Sequence, residues 1–127
     1  MQATDTLPRA EKITAAQLKP FNERAVWPWL KDALLDWAIM TGAIILAGLW
    51  NNPAGYALAV LIVGNRQHGL ALLGHDGTHC TLSHNRALNE FLTNLLAWWP
   101  LLLTNGGYRA LHTDHHLHLS TDRDPEC

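Results

Sequence analysis

Two uncharged apolar runs on either side of a turn limit what this chain can become. The first, Ala38 to Trp50, reads AIMTGAIILAGLW. With Leu34, Leu35 and Trp37 it extends to about 17 residues, interrupted by Asp36, and so reaches the lower limit of a membrane span. Asn51-Asn52-Pro53-Ala54-Gly55 is a turn signal. A second run, Tyr56 to Gly64, passes through the polar Asn65-Arg66-Gln67-His68 to Leu70, Ala71, Leu72, Leu73 and His75. The pattern predicts an all-α fold whose first part is a membrane helical hairpin over about residues 34–74. A buried hairpin of a soluble protein is the alternative, because runs of this length serve both. A third apolar block, Phe91 to Leu103, is about 13 residues long and contains Pro100. It is short for a span, so an interfacial or re-entrant helix is expected over about residues 88–104.

Charge gives the hairpin a direction. Arg9, Lys12, Lys19, Arg24 and Lys31 precede the first run, and no Lys or Arg lies in the turn at 51–55. The other four cations, Arg66, Arg86, Arg109 and Arg123, come later. The positive-inside rule then places residues 1–31, a polar arm with room for one short helix, in the cytoplasm and returns the chain there after the second run. Trp27, Trp29 and Trp37 sit where rings at a membrane–water boundary would lie; core packing is the alternative. The arm has no early apolar core or small-residue cleavage site of a signal peptide. A formal charge of −2 with no basic stripe excludes a nucleic-acid module. Two cysteines 47 residues apart exclude a disulfide scaffold.

The chemistry lies in the histidines, eight in all and concentrated in the second half. His75 and His79 form H-x-x-x-H, one helical turn apart on one face. His112, His115 and His116 form H-x-x-H-H, whose positions i, i+3 and i+4 also share a face. Neutral imidazoles are standard ligands for borderline transition metals, so these five are the candidate metal ligands. His68, two turns before His75, is a possible additional ligand or a buried histidine with a hydrogen-bond partner. Asp76 is read as a carboxylate that orients a ligand ring, the alternative being a turn aspartate. His118 is expected at the surface or behind the ligands, and His84 in a loop. Cys80 is expected to be a small buried or interfacial thiol and not a ligand. If both clusters feed one centre they lie on the same side of the membrane, so the segment between them cannot cross alone. No H-E-x-x-H, Glu-x-x-His, G-x-S-x-G or phosphate-binding Gly loop is present.

GNRQHGLALLGHDGTHCTLSHN (64–85) followed by YRALHTDHHLHLSTDRDPE (108–126) resembles the first two histidine boxes of the membrane fatty acid desaturase family. The box spacing, the apolar segment between the boxes and the Asp-Pro-acid sequence after the second carry the resemblance, which covers about residues 30–126. It implies a partial desaturase domain over 32–127, with His75, His79, His112, His115 and His116 among the ligands of two irons on the cytoplasmic side. It also implies an acyl-chain substrate in membrane lipid, O₂, and electrons from a ferredoxin or cytochrome b5 type donor. The family's third box, after a second pair of membrane helices, is not among these residues. The chain is therefore expected to be the N-terminal part of a desaturase, inactive alone. A carotenoid ring hydroxylase or ketolase fragment of the same superfamily, and a non-catalytic membrane metal-binding fragment, are the competing readings.

Overall fold

A computed structural model describes Thr14, Gln17 and residues 24–125. Four α-helices account for most of the described residues: α1 Val26–Trp50, α2 Pro53–Thr78, α3 Arg86–Thr93 and α4 Asn105–His118. A π-helical turn, Asn94–Trp98, and a 3-10 turn, Trp99–Leu101, follow α3 without a break. No strand occurs among the described residues. Most of the N-terminal arm lies outside them; within it, the Thr14 hydroxyl accepts from Gln17 N and the Gln17 side chain accepts from Thr14 N, a reciprocal helix-start cap.

α1 begins at Val26, inside the stretch read as a polar arm. Pro28 is no obstacle there, because the first-turn N–H groups have no intrahelical partner. The helix stops at Asn51, which takes left-handed backbone angles (φ 45°, ψ 51°) and donates its N–H to Ala47 O at 2.8 Å. One residue later Asn52 accepts from Gly55 N at 3.0 Å and Pro53 occupies the first helical position of α2. Two adjacent asparagines thus end one helix and start the next.

α1 and α2 pack antiparallel. Trp29 Nε1 donates to Leu73 O at 2.9 Å, and Arg66 Nη1 meets Asp36 Oδ1 at 3.2 Å. Small and polar residues are prominent among the buried ones of the pair, Ala33, Asp36, Ala47 and Ala59, alongside the larger Trp29, Met40 and Leu70, and Gly69 lies against the Asp36 carboxylate. The large apolar side chains point outward, among them Leu34, Ile44, Ile45, Leu46, Leu49, Val60 and Leu61. Among the described helices α1 alone is long and apolar enough to cross a membrane. Asn65 to His68 interrupts the apolar run of α2 but not its helix, which is continuous from Pro53 to Thr78.

The apolar core sits at the other end of the pair, under the segment after α3. Trp29, Ala33, Leu82 and Ala97 are buried together, with Leu30, Leu73, Leu92 and Leu96 around them. Trp29 is therefore a core residue and not a boundary ring; Trp27 is exposed. Trp37, half-buried, donates Nε1 to Leu96 O at 3.0 Å. The reason lies in Pro100: it has no N–H to offer the carbonyl four residues earlier, so the indole takes that place. The third apolar block is helical but irregular, and it lies across α1 and α2.

Two glycines let this segment approach α2. A Cβ on Gly74 would stand 2.6 Å from the Trp98 ring, and one on Gly77 would stand 2.1 Å from Thr93 Oγ1 and 2.8 Å from Thr93 Cβ. Gly64 faces open space. Gly77→Ala is expected to destabilise the fold by about 1–3 kcal/mol through overpacking. Gly64→Ala is expected to be neutral or stabilising by about 0.5–1 kcal/mol through helix propensity. Unfolding of both variants in the same detergent, followed by tryptophan fluorescence, checks the contrast.

Candidate metal centre

Box one occupies the end of α2. His75 lies in its last turn and His79 is the C-cap. The helix stops because Cys80 turns left-handed (φ 58°) and donates its N–H to Gly77 O at 3.0 Å, while Thr81 bonds Asp76 O through both N and Oγ1. Box two occupies the second half of α4, whose start is capped by Thr104 accepting from Gly107 N at 3.1 Å.

A buried polar clamp joins the two. Asn105 Oδ1 accepts from Thr78 Oγ1 at 2.7 Å and from Trp98 Nε1 at 3.2 Å. Asn105 Nδ2 donates to Glu90 Oε2 at 2.9 Å, and Asn105 N donates to Asn94 Oδ1 at 2.8 Å. Arg109, one turn along α4, donates to the same Glu90 oxygen at 2.8 Å and to Thr78 O at 3.2 Å. Asn89 completes the set by donating to Gly77 O at 2.7 Å and accepting from Leu82 N at 3.3 Å. The Thr78, Gly77 and Leu82 bonds tie α4 and α3 to the last turn of α2 and the loop after it, and the others tie α4 to α3 and the turns that follow it.

Four imidazoles converge as a result. Ring centroids lie 4.7 Å apart for His75–His79, 4.6 Å for His75–His112, 5.3 Å for His79–His116 and 4.4 Å for His112–His116. His75, His79 and His112 offer nitrogens all within 4.8 Å of one another. His112, the buried member, is backed by Tyr108 stacked at 5.2 Å, itself against Trp98 at 4.5 Å. His115 stands slightly apart, 5.8 Å from both His112 and His116, with Nδ1 2.7 Å from Asp124 Oδ1.

The remaining predicted residues separate from this group. Asp76 is exposed, with Oδ1 3.5 Å from His75 Nδ1. His118 turns to Asp114, 3.0 Å from its Oδ1. His68 and His84 are exposed and join none of the ring contacts among the described residues. Cys80 serves the helix stop. Sequence reasoning missed Asn105, Glu90, Arg109, Tyr108 and Asp124. Only Asp124 left a trace, in the Asp-Pro-acid sequence.

The nitrogen positions suit a metal ion. His112 Nε2 lies 3.0 Å from His79 Nε2 and 2.9 Å from His116 Nε2. A ring nitrogen carries one proton or one in-plane lone pair, so a single Nε2 cannot make good hydrogen bonds with two others. Ligands at about 2.1 Å from a metal and at right angles are about 3.0 Å apart, which is the spacing found. His79 is held below the usual histidine pKa by partial burial among the rings, then by repulsion from His75 and His116, with Asp76 opposing. Each cause but the last favours the neutral ring, the form that ligates.

The pattern of the fatty acid desaturase family matches residues 51–127. The chain is 38% identical over 93 residues to dihydrorhizobitoxine desaturase of Bradyrhizobium elkanii, covering 72% of this chain and 26% of that protein. It is 29% identical over 109 residues to a chloroplastic omega-3 fatty acid desaturase of Ricinus communis, covering 82% of this chain and 24% of the relative. It is 30% identical over 82 residues to the sn-1 acyl-lipid omega-3 desaturase (ferredoxin) of Synechocystis, covering 65% of this chain and 23% of the relative. No solved structure matches. The fold and the paired boxes define a helical protein with a histidine-only candidate metal centre; the chain belongs to the fatty acid desaturase family. It spans about a quarter of the length of these relatives.

Glu90 provides a pH test of the clamp. Partial burial alone would raise its pKa, but the Arg109 bond and charge, with Asn105 and Asn94, outweigh it and hold the carboxyl below its ordinary 4.5. A depressed folded pKa means the stabilisation is present above about pH 4.5 and fades as pH falls through the lower folded value. The wild-type thermal midpoint is expected to drop on that acid side. Glu90→Gln is expected to flatten this limb, as read from thermal melts across the pH series.

Proposed function

We propose that this chain carries the first two histidine boxes of a membrane di-iron acyl-lipid desaturase. The observation that supports it most is the gathering of His75, His79, His112 and His116 from two distant stretches. Residues 32–127 then form part of the desaturase domain and residues 1–31 a cytoplasmic arm. α1 and α2 insert as a hairpin with the Asn51-Asn52 turn on the far side. At 1.5 Å per residue Arg66 lies about 20 Å along α2 from that turn, on the inner side of a bilayer core about 30 Å thick. Asp36 neutralises it there. The segment 86–101 stays at the inner boundary, and both boxes face the cytoplasm. The exposed leucines and isoleucines of the hairpin support immersion, since lipid accepts them and helix contacts in membranes favour small and polar residues.

In this reading His75, His79, His112, His115 and His116 are ligands, with Asp76, His68 and His118 outside the immediate set. Two irons, when bound in the complete family site, supply O₂-dependent removal of hydrogens from an acyl chain with electrons from a ferredoxin or cytochrome b5 type donor. The protein's own contribution is orientation. The clamp fixes the spacing of the two boxes, and Tyr108 and Trp98 hold the plane of the His112 ring. Two relatives are named for omega-3 desaturation, one of them with acyl lipid and ferredoxin; the third is named for dihydrorhizobitoxine. None is named for carotenoids, which favours acyl chains over that alternative.

Anaerobic titration of the whole chain in nanodiscs with Co²⁺ is expected to give ligand-field bands of nitrogen coordination. His112→Ala is expected to weaken binding by more than about a hundredfold, beyond the effect typical of residues that only orient a ligand. Cobalt binding indifferent to His112→Ala would sink the proposal. Two boxes supply five histidines where the family uses eight or more. The 127-residue chain alone, given iron, lipid and a reduced donor, is therefore expected to form no double bond in product analysis. Clear turnover would overturn that expectation.

A further inference from the structure

We propose that Asp124 is a positioning residue that sets the tautomer of His115. The proposal rests on the metal reading of the histidine boxes but concerns a residue outside them. The loop after α4 is built to deliver this carboxylate. α4 ends at His118, Ser120 turns left-handed (φ 61°), Thr121 Oγ1 and N both bond His118 O, and Asp124 N bonds Thr121 O at 3.0 Å. The chain so folded back places Asp124 against the helix it has just left. Its side chain is 1% exposed. A carboxylate removed that far from water needs partners for both oxygens. Oδ1 lies 2.7 Å from His115 Nδ1, and Oδ2 accepts from Ser120 N at 3.3 Å.

A carboxylate is an acceptor, so the proton between the two groups sits on His115 Nδ1. The ring then presents Nε2 as its lone pair, the form a metal ion takes. His115 needs this direction more than its neighbours do. It stands 5.8 Å from His112 and His116, outside the closest ring contacts, and its orientation is fixed from the loop side. The Asp-Pro-Glu sequence at 124–126 thereby has a physical role at its first residue.

Asp124→Asn separates this role from simple loop stability. The amide has one oxygen, and Ser120 N, a donor, needs an acceptor. The oxygen therefore stays with Ser120 and the NH₂ turns to His115 Nδ1. That keeps the loop closed but forces the proton to Nε2, the wrong tautomer, as an Asp-to-Asn change does beside a catalytic imidazole. The experiment uses the full chain in nanodiscs, with ¹⁵N-labelled histidine, above the range where histidine titrates. Wild-type His115 is expected as the Nδ1–H tautomer before any metal is added. Asp124→Asn is expected to show Nε2–H, an unchanged near-ultraviolet dichroism spectrum, and Co²⁺ affinity lower by about tenfold to a hundredfold. An Nε2–H tautomer in the wild type would overturn the proposal without recourse to any variant, including one that fails to fold. So would an unchanged tautomer in Asp124→Asn, or cobalt binding that responds to His112→Ala but not to Asp124→Asn. Cobalt binding that ignores His112→Ala would instead remove the metal reading, and the tautomer spectra would still decide for or against Asp124.

Discussion

The hydrogen bond from Thr78 Oγ1 to Asn105 Oδ1, 2.7 Å long and buried, joins the last turn of α2 to the first residue of α4. The convergence of the histidines depends on that junction. His79 follows Thr78 directly, and His112 lies two turns beyond Asn105, so the positions of both rings are fixed relative to this bond. Asn105 also receives the Trp98 indole N–H and donates to Glu90, leaving little freedom in its orientation. Its loss would take the partner from the buried Trp98 indole N–H, at a cost of about 1–3 kcal/mol, and would remove the side-chain link between α2 and α4. The clamp also draws on Arg109, which adds a charged bond to Glu90 and a bond to the carbonyl of Thr78.

The hairpin below follows a different logic. Its buried residues include Ala33, Asp36, Ala47 and Ala59 beside Trp29, Met40 and Leu70, while many of its leucines and isoleucines face outward, unlike a soluble helix pair, which turns such residues inward. Alanines and Gly69 let the helices approach, and the Asp36–Arg66 pair sits between them instead of facing outward. In water this arrangement would expose a surface that association would have to cover. In lipid the same surface is satisfied, and van der Waals contact between small residues holds the helices together. The apolar core near Trp29 and Leu82 supports the histidine end of the pair.

Much of this was legible from residues alone because the signals were local. The asparagine pair with Pro53 marks a helix stop and start within three residues, and the H-x-x-x-H and H-x-x-H-H spacings place rings on single helical faces. Pro100 and the short length marked the third block as a segment not expected to cross a membrane alone. What could not be read was long-range. Glu90, Asn105 and Arg109 are ordinary polar residues in sequence, and they meet only after the π turn and 3-10 turn redirect the chain. Trp29 and Trp27 look alike on paper, yet one is 6% exposed and the other 69%, a difference set by which face of α1 meets Leu73. Asp124 was visible as part of a motif, but its partner was not, since the contact requires a left-handed Ser120 to reverse the loop.

Gathering imidazoles before a metal arrives has an energetic consequence. Four rings lie at 4.4–5.3 Å from one another, and any proton taken up by one repels charge on the rest. The rings themselves therefore gain little from meeting, and the geometry must be imposed by groups that do gain. Those groups are neutral amides and hydroxyls with matched partners, one ion pair at Glu90–Arg109, and stacked aromatics behind His112. None needs a metal to form. The scaffold can then present ring nitrogens at the separation that a metal's adjacent ligands adopt, so binding loses less to reorganisation. The clamp linking residues 78, 90, 105 and 109, buried at Thr78 and Asn105 and half-buried at Glu90 and Arg109, holds the two boxes together through bonds of its own.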